Sequence, residues 1–397
     1  MNLAVRPGEY GAKLVASTRV DRVEIFGDLA GAETFWRALE HDDSLATPFQ
    51  RYDFLKLWQI HVGAQAGVTP LIAVGLNTGG IPLFLWPLGR RTVRGCRIAE
   101  FLGGSHANFN MGLWRRDVAA RMTADELRAV LFQLSNHADV LKLTHQPMTW
   151  AGATNPLALL PYQQAPNTGF SGALAPDFED LLRARTNAAA RKKMRKKERA
   201  LADFGAVRFE RVTDAAGIRL ALDVFFKQKN ARMRSIGVAD VFSKPGVRRF
   251  IEAAATAQTG GHDATIELYT LSVNDIIVAT MGGIVGGGRF SAMFNSIAEG
   301  RYAVESPGEQ LLVRVVRDCC ERGLTTFDLG IGESHYKNLF CRDAEPLFDC
   351  YLPLTTRGRL PATAFKIAAA CKRGIKRNTA FWSVVRAVRR LRARLSA

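Results

Sequence analysis

Apolar segments of strand length, separated by short polar breaks, mark the first half of the chain. The runs at 68–74 and 81–88 flank the sequence Asn-Thr-Gly-Gly, whose residues favour a tight turn. This pattern predicts a β-hairpin. A helix is predicted over about 123–137, because Thr123 with Glu126 three residues later is typical of a capping box.

Apolar runs also organise the second half of the chain. Segments at 265–273, 276–285 and 290–297 are separated by Asn-Asp and Gly-Gly-Gly, which predicts an antiparallel meander. A strongly basic helix is predicted over about 178–204. The stretch 151–178 contains four prolines and predicts a linker between the two halves.

A capped helix is predicted directly after this meander. Ser306 stands at the N-cap position, Pro307 at the first helical position, and Glu309 completes a capping box. Gly323 ends the helix, and the segment 325–329 follows as a strand. Strand, helix and parallel strand form a crossover, whose helix start favours phosphate through its free amides and positive dipole end.

The positive charge of the chain is concentrated in two places. The 397 residues carry a net charge of +17. Residues 183–199 hold nine Lys or Arg against one acid, and residues 357–397 hold twelve Lys or Arg and no acid. The rest of the chain is therefore close to neutral, with the 47% hydrophobic content of a folded globular protein.

The last 17 residues of the chain have the period of a basic amphipathic helix. Its apolar face holds Phe381, Trp382, Val384, Val385, Val388, Leu391 and Leu395. Its basic residues include Arg386, Arg389, Arg390 and Arg394. This composition is typical of a helix on an anionic membrane surface, so we expect peripheral contact with the inner face of the membrane through residues 357–397. A helix docked on its own domain and a nucleic-acid contact are the alternatives.

Several classes of protein are excluded by what the sequence lacks. No apolar run approaches the roughly 18–20 residues of a membrane span, and residues 1–30 show no signal-peptide pattern, so we expect a cytoplasmic protein. The six cysteines form no CxxC pair, and the histidines form no HExxH motif, so no metal site is predicted. Dinucleotide, Walker and GxSxG motifs are also missing.

One segment concentrates chemically active side chains. The sequence 327–337 follows the crossover helix and holds an Asp, a Glu, a His, a Tyr and a Lys within eleven residues. Side chains at the end of such a strand face the crevice where α/β proteins bind ligands. The alternative is that these side chains cap turns or are solvated.

An ordered set of motifs resembles the BioF2-like, or CelD-type, group of GNAT acyltransferases, which is related to the FemAB aminoacyltransferases. The set comprises Ser-Pro-Gly at 306–308, Gly-Leu-Thr-Thr-Phe-Asp-Leu-Gly at 323–330, Tyr-Lys at 336–337 and the basic helix at 191–201. The likeness extends over about 178–352. The chain lacks the glycine loop, led by Gln or Arg, of ordinary GNAT proteins.

The resemblance implies an α/β (α+β) fold of two tandem GNAT-like halves, with mixed sheets flanked by helices. We expect a divergent N-terminal half over 1–165 and an acyltransferase half over 166–355. A basic helical tail over 356–397 completes the expected organisation.

The resemblance also implies direct attack of an acceptor amine or hydroxyl on an acyl thioester, helped by a base and an oxyanion donor. Asp328 or Glu333 is the predicted base, and His335 is a further candidate, because its ordinary pKa suits neutral pH. Tyr336 is the predicted acid or hydrogen-bond donor, and Lys337 the contact to the oxyanion or substrate.

Binding roles fall on three further groups of residues. The helix start is the predicted contact of the acyl-CoA phosphates: Ser306, Pro307, Gly308, Glu309 and Gln310. Lys229 and Arg232 are predicted to neutralise the same phosphates, with a solvated helix face as the alternative. His106 and Asn108 are predicted to line the acceptor site, with an ordinary loop as the alternative.

The predicted function is therefore transfer of an acyl group, most simply acetyl, from acyl-CoA as co-substrate to an amine or hydroxyl, in cell-envelope or exopolysaccharide assembly. No permanently bound cofactor is expected. An aminoacyltransferase that uses charged tRNA is one alternative, because the basic helix can bind RNA phosphate. A non-catalytic scaffold at the membrane surface is the other.

Overall fold

The computed structural model of the protein describes residues 19–41, 43–256, 265–332 and 339–377. Within these ranges the strands are β1 Arg22–Phe26, β2 Ser44–Leu45, β3 Thr69–Leu76, β4 Pro82–Val93, β5 Cys96–Phe101, β6 Leu113–Arg115, β7 Val140–Pro147, β8 Thr149–Trp150, β9 Ala153–Thr154, β10 Gln163–Gln164, β11 Gly169–Ala173, β12 Val207–Val212, β13 Glu267–Val273, β14 Ile276–Gly286, β15 Arg289–Ile297, β16 Thr326–Ile331, β17 Asp343–Glu345 and β18 Leu347–Pro353.

The α-helices in the same ranges are α1 Leu29–Arg37, α2 Tyr52–Trp58, α3 Arg116–Ala119, α4 Ala124–Leu134, α5 Phe178–Arg185, α6 Ala188–Ala202, α7 Ala215–Ser235, α8 Val247–Thr256, α9 Pro307–Glu321 and α10 Arg359–Arg377. None of these described helices combines the length and the apolar character needed to cross a bilayer. The amphipathic helix predicted over residues 381–395 lies outside the described residues.

Two sheets built on the same plan form the two lobes of the molecule. The N-terminal sheet has the order β1-β3-β4-β5-β7-β18-β10, and the C-terminal sheet has the order β12-β13-β14-β15-β16-β11-β17. Each contains an antiparallel meander followed by one parallel pair, β5 with β7 and β15 with β16. A helix precedes the second strand of each pair, α4 in one lobe and α9 in the other. The expected organisation of two halves with mixed sheets flanked by helices is confirmed.

The two sheets exchange strands at the ends of the lobes. After β7 the chain adds β10 to the N-terminal sheet and then enters the C-terminal sheet as β11. After β16 it adds β17 to the C-terminal sheet and returns to the N-terminal sheet as β18, which pairs with β7. The stretch predicted as a linker thus contributes strands to both sheets, and β18, expected within the second half, completes the first sheet.

Local sequence signals account for most elements of the fold. The predicted hairpin forms as β3 and β4, and the predicted meander forms as β13, β14 and β15. The prediction of one basic helix over 178–204 is wrong, because Thr186 is extended and the Asn187 side chain caps a second helix by accepting from the Ala190 amide at 2.8 Å. The result is the helix pair α5 and α6.

The predicted capping box at the start of α4 is present in full. The Glu126 amide donates to Thr123 Oγ1 at 3.3 Å, and the Thr123 amide donates to Glu126 Oε2 at 3.0 Å. We expect Thr123→Ala to lower the free energy of unfolding by about 1 kcal/mol, because it leaves an amide of the first turn without its acceptor. Urea unfolding measures this loss. Glu126→Gln is the control, since glutamine also accepts from the Thr123 amide, and an equal loss in both variants would contradict the assignment.

Candidate active site

The parallel strands β15 and β16 separate after a short stretch of pairing. They pair only from Arg289 opposite Thr326 to Ser291 opposite Asp328, although β15 runs on to residue 297. Beyond that point β15 also has one extra residue, Met293, relative to β14. Gly282 is opposite Phe294 and the next residue, Gly283, is opposite Ala292. Such a bulge bends the strand. We call the space between the two separated strands the β15–β16 opening.

Asn108 of the N-terminal lobe reaches into the β15–β16 opening. Its Nδ2 atom donates to the carbonyl oxygen of Ala292 on β15 at 2.9 Å. On the other side, a Cβ atom added to Gly330 of β16 would lie 2.5 Å from Asn108 Nδ2. Gly330 also has φ +69°, which favours glycine. The predicted acceptor-site residue Asn108 therefore lies between the separated strands, where Gly330 leaves room for it.

Lys229 approaches β15 from helix α7. Its Nζ atom donates to the carbonyl oxygen of Asn295 at 3.2 Å, past the point where β15 leaves β16. The same ammonium lies 5.6 Å from the centre of the Phe242 ring. Burial lowers the pKa of Lys229, and Asp240 opposes that shift. Lys229 is thus a desolvated amine beside the β15–β16 opening, whereas Arg232, one turn further along α7, is exposed.

His106 belongs to the same neighbourhood but is buried. Its Nδ1 atom accepts from the indole Nε1 of Trp58 at 3.1 Å, and its ring lies 6.4 Å from that of Phe242. Burial, together with the nearby ammonium of Lys244, lowers the pKa of His106 to about 4. The ring is therefore neutral at pH 7. His106 packs behind the phenyl ring next to Lys229 instead of standing free in a cleft.

Asp328 lies at the closed end of the β15–β16 opening and is completely buried. Its Oδ2 atom accepts from Arg289 Nε at 2.6 Å and from the Ser291 hydroxyl, and its Oδ1 atom accepts from the Gly330 amide at 2.9 Å. Burial raises the pKa of Asp328, and the Arg289 guanidinium opposes that rise. Both carboxylate oxygens are occupied, so the geometry of Asp328 suits a group that fixes the start of the opening.

Arg289 is the residue that sequence reasoning missed. Besides Asp328, it donates to both oxygens of Glu345 on β17 at 2.7 Å. Its guanidinium also lies 4.0 Å from the ring of Trp150 in the N-terminal lobe. The sequence did contain a signal: a charged residue stands directly after three glycines and before the apolar segment 290–297.

The start of α9, predicted to contact phosphate, does not have the side-chain cap that the sequence predicts. Ser306 has φ +53° and its side chain does not cap the helix, so the predicted capping box is wrong here. Its hydroxyl instead accepts from Lys197 of α6, whose ammonium is also 3.6 Å from Glu309 Oε2. The amides of Glu309 and Gln310 donate to the Ser306 carbonyl oxygen. Pro307 has no amide hydrogen, and Gly308 lies against Ile297 at the end of β15.

A groove runs along the outer face of α9, next to this helix start. It encloses about 500 Å³ between α5, α6 and α9. Ion pairs link its sides, Arg314 with Glu198 at 2.6 Å and Arg317 with Glu179 at 2.7 Å. These matched charges give the groove no clear preference for an anion or a cation.

Four of the predicted catalytic residues, Glu333, His335, Tyr336 and Lys337, lie outside the described residues and stay predictions. The chain enters that segment from the end of β16 beside Gly330 and re-emerges at Leu339. Among the described candidates, the structure brings Asn108, Lys229 and, behind Phe242, His106 to the β15–β16 opening, with Asp328 at its base. Residues 306–310 lie at the far end of β15.

The β15–β16 opening lies in a part of the chain that matches a known protein family. Residues 188–338 match the family described as Acetyltransferase (GNAT) domain. The search of curated proteins gives no significant match. The match confirms the GNAT resemblance, and the protein is an acyltransferase.

Most of the chain is similar in fold to solved structures at low sequence identity. FemX is 12% identical with a TM-score of 0.54, and the similarity covers 83% of this chain and 97% of FemX. A conserved protein of unknown function from Bacteroides thetaiotaomicron is 11% identical with a TM-score of 0.51 over 83% of this chain and all of that one. L-PGS from Bacillus licheniformis is 10% identical with a TM-score of 0.50 over 85% and 96% of the two chains. At these identities the likeness shows the fold alone.

Proposed function

Since residues 188–338 form a GNAT domain, we propose that the protein transfers an acyl group from acyl-CoA to an amine or hydroxyl acceptor at the β15–β16 opening. The observation that carries this proposal is the separation of β15 from β16 beyond Ser291, inside the matched range. A separated strand edge offers backbone groups to which an extended chain with amide groups can bind. The arm that carries the acyl thioester in coenzyme A is such a chain.

The reaction we propose needs no intermediate on the protein. The acceptor nitrogen or oxygen attacks the thioester carbonyl carbon, forming a C–N or C–O bond and a tetrahedral oxyanion. The C–S bond then breaks, and the thiolate leaves with the electron pair and takes up the proton that the base removed from the acceptor. A positioned base contributes about 10²–10⁴-fold to such a step.

Lys229 is the residue we propose as donor to the oxyanion. An ammonium has three N–H donors, and the contact with the Asn295 carbonyl oxygen uses one of them. Its partial burial strengthens a hydrogen bond to a developing negative charge, because less water competes for the ammonium. Asp328 serves to hold Gly330 and the base of the opening, and Glu333 or His335 stays the predicted base.

Asn108 is proposed to set the width of the opening on the acceptor side. It comes from the N-terminal lobe and contacts both separated strands, so the two lobes share one site. A role in cell-envelope or exopolysaccharide assembly and a cytoplasmic location both stay predictions.

A second donor class is supported by one observation. Helix α6 presents five exposed cations on its outer face, Lys192, Lys193, Arg195, Lys196 and Arg199. Such a row suits the phosphate backbone of a charged tRNA, and binding of that kind weakens steeply as salt rises. The two donors are therefore distinguishable in one set of titrations.

Calorimetric titration of acetyl-CoA and longer acyl-CoA tests the proposed donor. We expect micromolar binding, and we expect Gly308→Trp to weaken it by about tenfold or more, because an indole next to Ile297 occupies space at the end of β15. The matched control is Gly27→Trp, whose site is exposed and has no heavy atom within 4 Å of the added Cβ. Thermal unfolding of both variants checks that they fold.

The same titrations define the contrary result. Absence of binding with every acyl-CoA, together with salt-dependent binding of charged tRNA, would overturn acyl-CoA as the donor and favour the aminoacyltransferase. If the two tryptophan variants bind acyl-CoA equally and as well as the unmodified protein, the donor site lies elsewhere.

A further inference from the structure

Helix α10 packs on the N-terminal sheet with one face and leaves an apolar stripe on the other. On its inner face, Ala362 and Ala369 are buried, and the Phe365 ring lies 6.1 Å from that of Tyr351 on β18. On its outer face, Leu360 is 84% exposed, Ile367 58% and Ile375 41%. An ordinary surface helix is polar on the side away from its sheet, and α10 is apolar there.

The exposed apolar side chains of α10 form one continuous stripe. At 100° per residue, the stripe spans a sector of about 100° along the helix. Its members are Leu360, Ala364, Ile367, Ala368, Cys371 and Ile375. A helix of this length extends for about 28 Å. A single exposed leucine is ordinary on a protein surface. A continuous apolar stripe of this length is typical of an interaction surface.

Cations lie on both sides of the helix, between the stripe and the face that packs on the sheet. Arg359 and Lys366 lie on one flank and Lys372 on the other, and all three are exposed. The sequence 357–397 holds no acid, so nothing in this part of the chain neutralises them. The inner cations are differently engaged, since Arg373 donates to the Gln164 carbonyl oxygen and Lys376 to Asn167 Oδ1.

The positive charge of α10 indicates which kind of surface can cover the stripe. A second copy of α10 would bring one acid-free basic helix against another. Residues 378–397 of the same chain carry five arginines and no acid, so they would also add like charge. An anionic lipid surface offers both an apolar layer for the stripe and negative headgroups for its flanks.

We propose that the outer face of α10 docks the protein on an anionic membrane, with the helix in the plane of the interface. The apolar stripe enters the boundary between headgroups and acyl chains, and Arg359, Lys366 and Lys372 contact the headgroups. This docking is independent of the donor and acceptor of the acyl transfer. It places the N-terminal lobe, to which α10 is packed, against the lipid.

Sedimentation of the full chain with vesicles tests this docking. We expect binding to phosphatidylcholine vesicles that contain about one third phosphatidylglycerol, and at least about tenfold weaker binding to pure phosphatidylcholine, because the flanking cations lose their partners. The double variant Leu360→Gln, Ile367→Gln should weaken binding to the anionic vesicles by about tenfold or more. Phe132→Gln is the matched control, since Phe132 is 73% exposed on α4, and it should bind as the unmodified protein does.

A fluorescent reporter shows whether the stripe itself enters the lipid. In the Ile367→Trp variant we expect the emission to shift to shorter wavelength when anionic vesicles are added, and in Phe132→Trp to stay unchanged. Binding that survives the double glutamine substitution would overturn the docking face. Failure to sediment with anionic vesicles would do the same. Blue-shifted emission of Ile367→Trp before any vesicle is added would mean that the chain or a second copy covers the stripe, which also overturns it.

Discussion

We expect Lys229→Met to lower kcat by about 10²–10³-fold while KM for the acyl donor changes little, because the lost hydrogen bond forms only as the oxyanion develops. Methionine keeps about the length of the lysine side chain but removes the ammonium that lies 5.6 Å from the centre of the Phe242 ring. The measurement is the release of free thiol from acyl-CoA at saturating acceptor. Lys227→Met is the matched control, because Lys227 is an exposed lysine on the same helix.

The pH dependence gives a second readout of the same role. A donor must be protonated, so activity persists below the pKa of Lys229 and falls as the pH rises through it. Burial lowers that pKa, so the fall begins below the range of an ordinary lysine. In Lys229→Arg the fall should move to higher pH, since a guanidinium stays charged. A large loss in Lys227→Met, or an unshifted alkaline limb in Lys229→Arg, would contradict the oxyanion role.

Arg289→Met should lower the free energy of unfolding by about 3–5 kcal/mol, because it leaves the Asp328 carboxylate buried without its cation. Urea unfolding measures the loss. Arg208→Met is the control, since Arg208 is exposed and its ion pairs exceed 3.5 Å, and it should change stability by no more than about 0.5 kcal/mol. A loss as small as that of the control would refute the claim that Arg289 anchors the opening.

The loss in Arg289→Met should depend on pH with a definite sign. Burial already raises the pKa of Asp328, and removal of the opposing guanidinium raises it further. The folded variant then binds a proton more readily than the unfolded chain, so its stability falls as pH rises through the intervening range. The deficit relative to the unmodified protein should therefore be smaller at pH 5 than at pH 7.5.

Sequence reasoning succeeded where the signal and its partner are close along the chain. The Thr123 cap, the β3–β4 hairpin and the crossover from β15 through α9 to β16 each involve neighbouring segments. It failed at Ser306, whose pattern is that of an N-cap but whose hydroxyl is bound by Lys197, more than a hundred residues away. A local pattern does not show which distant group competes for the same oxygen.

The candidate site shows the same division. Asp328 was found by its position at a strand end, but its burial and its partner Arg289 depend on how β15, β16 and β17 meet. Asn108 and Lys229 were proposed for separate tasks. The packing of the two lobes brings Asn108 to the β15–β16 opening, and the packing of α7 on β15 brings Lys229 there. The sequence of α10 does not show which of its faces packs on the protein. The structure shows that the inner face packs on the N-terminal sheet, so the apolar outer face is exposed.

By itself, the sequence determined the acyltransferase class, the mixed α/β halves and the two basic regions, because these depend on local periodicity, turn chemistry and an ordered set of motifs. The tertiary structure decided the rest. It placed β18 in the first sheet, inserted Asn108 between β15 and β16, and paired Arg289 with Asp328. Such contacts join residues far apart in the chain. They form because packing within and between the two lobes removes water and leaves each buried polar group to find its partner within the fold.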